Sequence, residues 1–279
     1  MMTLNQRIQQ FYDQSTDLWL TTWGEHMHHG YYDVNEPIVQ SHQEAQVRLV
    51  TELLQWGQVE NANRVLDAGC GVGGSARLLA RLFDAKVLGC TLSPVQAQRG
   101  MDYSKRANLQ DQVQIVARDM MDLNTADGPF DLIWSMESAE HIRDKQKLLQ
   151  LFYDLLQPGG KLLMATWFHR PTPPELQTRE QQLLNRIYDY YHLPPMVSIP
   201  TLEQMAIDSG FKNVKTADWS DQVAPFWKAV IRSAFKWQSV RGLLKAGWPT
   251  IKGAWAMRYM TRGYHRGIVK FGVLQGQKV

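Results

Sequence analysis

The chain has 279 residues, of which 44% are hydrophobic and 20% charged, and its formal net charge is +3. These values are typical of a soluble globular protein with a sizeable core, and no apolar run approaches the roughly 18–20 residues of a membrane-spanning helix. The two cysteines, Cys70 and Cys90, suit a reducing compartment. The first residues resemble neither a signal peptide nor a transit peptide, so we expect the cytoplasmic side of a membrane.

The net charge conceals an uneven distribution. Between Gln222 and Val279 there are eleven Lys or Arg and no Asp or Glu, which leaves 19 basic against 27 acidic residues before this stretch. Aromatic residues are interleaved with the basic ones, including Phe226, Trp227 and Trp237. A nucleic-acid surface and compositional drift are alternatives, but basic and aromatic side chains together indicate peripheral contact with an anionic membrane.

Two helices are predicted before the first strand. Apolar residues at three- and four-residue spacing predict helices near Leu4 to Asp17 and near Ile38 to Trp56. An aromatic- and histidine-rich loop, Trp19 to Tyr32, lies between them. We assign residues 1–60 to an N-terminal helical lid.

Strands and helices then alternate. Predicted strands are Arg64–Asp67, Lys86–Thr91, Val113–Ala117, Phe130–Ser135 and Lys161–Trp167, and predicted helices are Gly74–Phe83, Pro94–Ala107 and Asp144–Leu156. A turn at residues 158–160 is expected to end the last of these helices. The alternation predicts a doubly wound α/β fold with a parallel sheet and right-handed crossovers. Residues 61–167 form the predicted cofactor-binding core.

The remaining chain is predicted to complete the sheet and cover it. A proline-rich stretch opens an insertion at residues 168–200, which we interpret as a substrate cap. Residues 201–279 carry a helix (Thr201–Ser209), a strand (Phe211–Ala217), a basic helical insertion and a last strand (Ile268–Gln275). Lys228, Arg232 and Lys236 recur every four residues in that insertion.

A glycine-rich loop follows the first strand. Gly69, Gly71 and Gly74 satisfy GxGxxG, a pattern shared with nicotinamide and flavin enzymes. Asp67 stands just before the first glycine, where a carboxylate repels a pyrophosphate but binds the amino group of an amino acid. The second strand ends at Thr91-Leu92-Ser93, without the acid that a dinucleotide site requires. The loop therefore predicts S-adenosylmethionine as the cofactor.

Asp119 and Met120 follow the third strand, at the sheet edge where such folds bind ligands. Asp119 is expected to accept a hydrogen bond from the adenine amino group, or else to cap the next turn. Met120 is expected to lie against the adenine ring.

Several segments resemble the tocopherol methyltransferases. They are residues 67–75, 91–98, 23–32, 134–141 and 223–235. The resemblance implies a class I S-adenosylmethionine methyltransferase of Rossmann-like fold, with a helical lid and helical insertions over the active site. It further implies methyl transfer to a ring carbon of γ-tocopherol (and δ-tocopherol), giving α-tocopherol (and β-tocopherol). Without a transit segment, the chain looks like the cyanobacterial type.

Other readings stay open. Plant alkaloid N-methyltransferases share most of these motifs, and methyltransferases of other prenylated quinols are similar, although a proline is expected there at the position of Glu140. Fatty-acid cyclopropane synthases share Glu140-His141 and Gln96. A catalytically inactive scaffold is also possible in principle. An RNA methyltransferase is disfavoured because no Asn-Pro-Pro-Tyr-like motif follows the fourth strand, so no nucleic-acid partner is expected.

The site residues follow from these patterns and from the resemblance. A phenol with a pKa near 10 needs a base, and a histidine near its ordinary pKa accepts a proton at neutral pH. We predict His141, Glu140 and Tyr12 as catalytic residues, with Tyr12 paired to His141. The predicted cofactor-binding residues are Asp67, Gly69, Cys70, Gly71, Gly73, Thr91, Leu92, Gln96, Asp119, Met120 and Ser135. The predicted substrate-binding residues are Trp23, His28, His29, Tyr31, Phe226 and Trp227. No metal is expected at the histidines of residues 26–29, since this chemistry needs none.

Overall fold

Seven strands form one sheet in the computed structural model, which describes residues 2–34, 40–227 and 257–279. The strands are β1 Arg64–Ala68, β2 Lys86–Thr91, β3 Val113–Ala117, β4 Phe130–Met136, β5 Leu156–His169, β6 Lys212–Asp218 and β7 Val269–Gln277. Their order across the sheet is β3-β2-β1-β4-β5-β7-β6. This order confirms the α/β fold, because the chain winds outward from β1 in both directions.

Helices cover both faces of this sheet. They are α1 Leu4–Trp23, α2 His42–Trp56, α3 Gly74–Phe83, α4 Pro94–Arg106, α5 Lys145–Leu155, α6 Thr178–Tyr191, α7 Ile199–Asp208 and the short α8 Ser220–Val223. Residues 257–265 are also helical. Leu53, Leu79 and Leu184 are buried in the core on one face, and Leu149 and Phe152 on the other. Each such side chain contributes roughly 1.5–3 kcal/mol of transfer free energy.

One strand, β7, departs from the parallel arrangement that the alternation of strands and helices predicts. This strand runs antiparallel to both of its neighbours, β5 and β6. The reason lies at the carboxyl edge, where β7 begins: His169, at the end of β5, pairs with Val269, at the start of β7. The amide of Phe271 also donates to the Ser220 hydroxyl, just after β6. Because the chain enters β7 at the edge where β5 and β6 end, the strand runs in the opposite direction.

Helix α1 is longer than its predicted range, since it continues through Trp19 to Trp23 and ends at Gly24 with φ +82°. Aromatic packing accounts for the extension. Trp19 stacks on Trp23 with ring centroids 5.3 Å apart, and Trp23 contacts Phe226 at the same separation. Tertiary contacts of this kind override the weak helix propensity of the intervening threonines. Part of the predicted loop is therefore helix.

Two more boundaries differ from the predictions. Ser41 caps α2, which begins at His42, while the start predicted near Ile38 lies outside the described residues. Residues 158–160, predicted as a turn, lie within β5, where a register shift follows the pairing of Phe130 with Leu156. The Gly159 amide donates to the Lys278 carbonyl at 2.7 Å, so the glycine-rich bulge is held by the chain beyond β7. The division into a lid, core, cap and C-terminal part stays a prediction.

Candidate active site

A pocket opens at the carboxyl edge of β1, β2 and β4, beneath α1 and the loop that follows it. Twelve predicted site residues line it: Tyr12, His28, Asp67, Gly69, Cys70, Gly71, Thr91, Leu92, Gln96, Asp119, Met120 and His141. The other predicted residues lie behind the lining or elsewhere: Gly73, Ser135, Glu140, Trp23, His29, Tyr31, Phe226 and Trp227. The structure therefore gathers most of the predicted cofactor residues but few of the predicted substrate residues.

The glycine loop is held in a conformation that other residues rarely adopt. Gly69 has φ +84°, and a Cβ placed there would lie 2.2 Å from the Ser138 Cβ. Gly73, at the start of α3, has φ +76° and a comparable obstruction from Ile115. The amides of Gly69 and Cys70 both donate to the Cys90 carbonyl, at 3.0 and 2.9 Å. The loop is thus fixed against β2, which leaves its inner surface free for a ligand.

Asp67 offers a buried carboxylate to that ligand. The side chain is 2% exposed, and its Oδ2 atom has no hydrogen-bond partner among the residues that the structure describes. Burial raises the pKa of Asp67 to about 7, against opposing effects of the Ala76 amide and the Arg77 charge. An unpaired buried carboxylate is costly unless a cation meets it. The ammonium group of S-adenosylmethionine is such a cation, so this residue fits the predicted cofactor.

The ends of β2 and β3 complete the cofactor side. The Thr91 hydroxyl donates to Gln96 Oε1 at 2.8 Å, which orients both side chains along the pocket. Asp119 has both predicted features. It lines the pocket, and it also caps the turn of Met120–Asp122 by accepting from the Met121 amide at 2.9 Å. Its other oxygen accepts from the Asn5 side chain, which brings α1 against this end of the pocket.

The segment after β4 forms the opposite wall. The Ser135 and Ser138 hydroxyls lie 3.0 Å apart, and Ser138 also donates to the Ala68 carbonyl at 2.5 Å. Ser135 is therefore a support behind the lining rather than part of it. Glu137 has φ +48°, an uncommon conformation for a residue with a side chain, and it belongs to the pocket lining.

Tyr12 and His141 meet across the pocket, as the sequence predicted. The phenolic oxygen lies 2.8 Å from His141 Nε2. Burial is the main reason that the pKa of His141 is lowered to about 3, and the positive charge of Lys145 adds to it. The expectation of an ordinary histidine pKa is therefore wrong. Burial, followed by the charges of Glu140 and Glu137, raises the pKa of Tyr12, so the phenol stays protonated.

Glu140 lies one layer behind the pocket wall. It is 3% exposed and accepts a hydrogen bond from the Thr166 hydroxyl at 2.7 Å. Burial and then the charge of Glu137 raise the pKa of Glu140 to about 8, despite the opposing effect of Lys145. The carboxyl group is thus protonated at neutral pH.

The predicted substrate residues form an aromatic cluster beside the pocket. The ring of His29 lies 5.0 Å from those of Phe226 and Trp227, and Trp23 contacts both of these residues. Tyr31 packs elsewhere, against Trp219 at 5.2 Å. Four of the six predicted substrate residues therefore share one apolar region next to the cofactor side, whereas His28 lines the pocket itself.

Sequence reasoning missed the charged residues that hold the loop after α1. Glu25 forms an ion pair with the buried Arg77 of α3. Burial, followed by the charges of His28 and Arg77, lowers the pKa of the adjacent His26 to about 3. Glu137 was also missed, although it belongs to a segment that carried the family resemblance. An acid directly after β4, at the edge where ligands bind, was the available signal.

The basic insertion falls largely beyond the described residues. Lys228, Arg232 and Lys236 all lie in the range 228–256, outside the described part of the chain. Among the residues that are described, none of the helices is both long enough and apolar enough to cross a bilayer.

Comparison with known proteins identifies the family. Residues 2–227 match the model of the mycolic acid cyclopropane synthetase family. The chain is 41% identical to the probable chloroplastic tocopherol O-methyltransferase of Oryza sativa subsp. japonica, over 99% of this chain and 78% of that protein. It is 28% identical to norajmaline N-methyltransferase of Rauvolfia serpentina, over 100% of this chain and 99% of that protein.

The fold is likewise that of a known group. The solved structure of a cyclopropane synthase from Mycobacterium tuberculosis superposes with a TM-score of 0.84 at 18% identity, covering 100% of this chain and 99% of that one. The expected class I fold and S-adenosylmethionine as cofactor are confirmed. The chain therefore belongs to the mycolic acid cyclopropane synthetase family of S-adenosylmethionine-dependent methyltransferases and, within it, to the tocopherol methyltransferases.

Proposed function

We propose that this enzyme methylates a ring carbon of γ-tocopherol (and δ-tocopherol), giving α-tocopherol (and β-tocopherol) in vitamin E biosynthesis. The observation that carries the proposal is the 41% identity to a tocopherol methyltransferase over almost the whole chain. The cluster of Trp23, His29, Phe226 and Trp227 beside the pocket supports it, since an aromatic wall suits a large apolar phenol.

The residues on the cofactor side have defined tasks in this reaction. Asp67 binds the ammonium group of the cofactor, and the glycine loop lets the cofactor approach the protein backbone closely. Asp119 and Met120 hold its adenine end. S-adenosylmethionine, when bound, supplies an electrophilic methyl group on a positively charged sulfur. The protein's contribution is then alignment and exclusion of water, which a pocket roofed by α1 provides.

The acceptor side suits a neutral molecule. Glu140 is protonated and His141 is uncharged at neutral pH, while the remaining acid of this wall, Glu137, is paired with His29. An amine acceptor in its protonated form would need an unpaired carboxylate here. The wall therefore favours a phenol over the amine of an alkaloid N-methyltransferase. Tyr12 and His141 are proposed to orient the acceptor ring.

The test is a direct assay of acceptor and position. The purified protein is incubated with labelled S-adenosylmethionine and, separately, γ-tocopherol, δ-tocopherol, a prenylated hydroquinone and an indole amine. We expect the fastest transfer to γ-tocopherol, with mass-spectrometric fragmentation placing the methyl group on the ring carbon. Transfer to the phenolic oxygen, or faster transfer to the amine, would contradict the proposal.

We also propose that the protein associates peripherally, on the cytoplasmic side, with an anionic membrane such as a thylakoid or plasma membrane. The eleven basic residues after Gln222 and their aromatic neighbours support this, at about 1 kcal/mol for each basic residue near the surface. Flotation with neutral and anionic vesicles is the measurement. Equal binding to both kinds of vesicle, or binding unaffected by salt, would contradict the proposed attraction between the basic residues and anionic lipid.

A further inference from the structure

A buried carboxylate–imidazole pair lies next to the pocket and is not used by the roles assigned so far. Glu137 Oε2 lies 2.7 Å from His29 Nδ1, and Glu137 Oε1 accepts from the His29 amide at 2.6 Å. The Trp167 indole also donates to Oε2, at 3.1 Å. The two paired side chains are only 1% and 6% exposed. Three hydrogen bonds thus hold the carboxylate, and the one to Nδ1 orients the imidazole ring.

The carboxylate is held in its ionised form. Burial alone would raise the pKa of Glu137, but the charge and hydrogen bonds of His29, with a smaller contribution from His28, keep it below the ordinary value. A carboxylate bonded to Nδ1–H selects the tautomer in which the other ring nitrogen carries the lone pair. When the ring is neutral, Nε2 of His29 is therefore the nitrogen available to accept a proton.

That nitrogen lies in a region of unsatisfied polar atoms. His29 Nε2, Trp227 Nε1 and the Tyr264 hydroxyl are all buried without a hydrogen-bond partner among the described residues. The rings of Trp227 and Tyr264 lie 5.0 and 5.9 Å from the imidazole. Buried polar groups are normally paired, so several unpaired ones around a single ring indicate a place for a polar ligand atom within an apolar surrounding.

His141, the base predicted from the sequence, is less suited to hold a proton. Its Nε2 already contacts Tyr12, and the charged group that acts on it most strongly is the cation of Lys145. His29, by contrast, has a carboxylate as its direct partner. A carboxylate that orients a histidine also stabilises the imidazolium formed when that histidine takes a proton.

Resting on the proposed function, we propose that His29, held by Glu137, is the catalytic base that removes the phenolic proton of the acceptor. The O–H bond breaks and the proton moves to His29 Nε2, which leaves a phenoxide. The ring carbon next to the oxygen then bonds to the methyl carbon as the methyl–sulfur bond breaks, and that electron pair stays on sulfur. The proton of this ring carbon is finally lost to water, while the oxygen regains its proton from His29.

The titratable groups facing His29 decide the pH dependence. They are Glu137 from the end of β4, His28 from its own loop and Tyr264 from residues 257–265; the other rings packed against it are those of Trp and Phe. Of these groups, Glu137 carries the charge that favours a protonated imidazole. Removing this charge should move the acidic limb of the rate profile to lower pH.

The experiment compares His29→Gln, Glu137→Gln and, as a matched control, His265→Gln, in which the histidine is exposed. We expect His29→Gln to lower turnover of γ-tocopherol by roughly 10²–10⁴-fold with unchanged affinity for S-adenosylmethionine by calorimetry. We expect Glu137→Gln to lower turnover and shift the acidic limb, and the control to behave as wild type. Turnover by folded His29→Gln above a third of wild type, with the same pH profile, would overturn the proposal.

A second readout separates this proposal from the proposed function. Without the base, turnover of γ-tocopherol by His29→Gln should follow the small fraction of free phenoxide and rise by about tenfold per pH unit between roughly pH 7 and 9, because a phenol has a pKa near 10, whereas turnover by the wild type should not rise in this way. If His29→Gln does not fold, the test rests on Glu137→Gln. An acidic limb of its pH–rate profile that matches the wild type would overturn the role of the Glu137–His29 pair. A wild type that methylates no phenol refutes the proposed function, whereas full activity without any effect of these variants refutes only the base.

Discussion

The two sides of the pocket differ in how their charged groups are paired. On the cofactor side, Asp67 has a buried oxygen without a partner in the described part of the chain. On the acceptor side, each acid already has one: Glu137 binds His29, and Glu140 accepts from Thr166. An unpaired buried charge indicates that a ligand of opposite charge will complete the site, whereas an internally paired wall suits a neutral ligand. We therefore expect a cation and an uncharged acceptor to occupy opposite sides of the pocket.

The largest effect expected on cofactor binding tests the unpaired oxygen of Asp67. Replacing Asp67 by asparagine removes the charge that meets the ammonium group but keeps the side-chain size. Because hydrogen bonds to charged groups contribute about 1.5–3 kcal/mol, we expect the affinity for S-adenosylmethionine to fall roughly 10- to 150-fold. Isothermal calorimetry measures this, and Asp111→Asn, an exposed position before β3, is the control. Unchanged affinity in the folded variant would show that Asp67 does not contact the ligand.

A smaller effect, on the pH dependence of the affinity for S-adenosylmethionine, also tests Asp67. Burial raises the pKa of Asp67 to about 7 in the free protein, and a bound ammonium group would lower it. Binding then releases a proton, so the affinity should increase with pH by up to about tenfold per unit between roughly pH 5 and 7. Above about pH 8 it should fall again, as the α-amino group of the ligand loses its own proton.

Calorimetry in buffers of different ionisation enthalpy counts the released protons. Asp67→Asn should abolish the acidic limb and leave the alkaline one. If the affinity of the wild type for S-adenosylmethionine did not change between pH 5 and 7, the Asp67 carboxylate would already be ionised before the cofactor binds.

The same contrast explains what the sequence could predict. The cofactor side is built from short consecutive stretches, such as residues 67–74, in which a glycine spacing and one acid carry the signal. The acceptor side is assembled from distant parts of the chain: His29 meets Glu137 only through the packing of the loop after α1 on the end of β4. No local pattern records such a pairing, so His29 was predicted as a substrate contact and Glu137 was missed.

The errors in the fold have the same origin. The strand alternation predicted the order of elements, but the direction of β7 depends on the edge of the sheet at which the chain enters this strand, where Val269 pairs with His169. Likewise, the end of α1 depends on Trp23 meeting Phe226, about two hundred residues later in the chain. Long-range contacts decided both outcomes, and local propensity could not anticipate them.

The smallest expected effect tests whether a change on the acceptor side of the pocket alters turnover without altering cofactor binding. Tyr12→Phe removes the hydroxyl that lies 2.8 Å from His141 Nε2 and leaves the aromatic contact with Trp19 in place. A hydrogen bond between neutral groups contributes about 0.5–1.5 kcal/mol, so we expect turnover of γ-tocopherol to fall about 2- to 12-fold. The affinity for S-adenosylmethionine should not change, because the charge that binds it lies at Asp67. Tyr190→Phe, in α6, is the matched control and should retain full turnover. If Tyr12→Phe instead weakened cofactor binding with unchanged turnover, Tyr12 would belong to the cofactor side, and the division of the pocket into a charged and a neutral wall would be wrong.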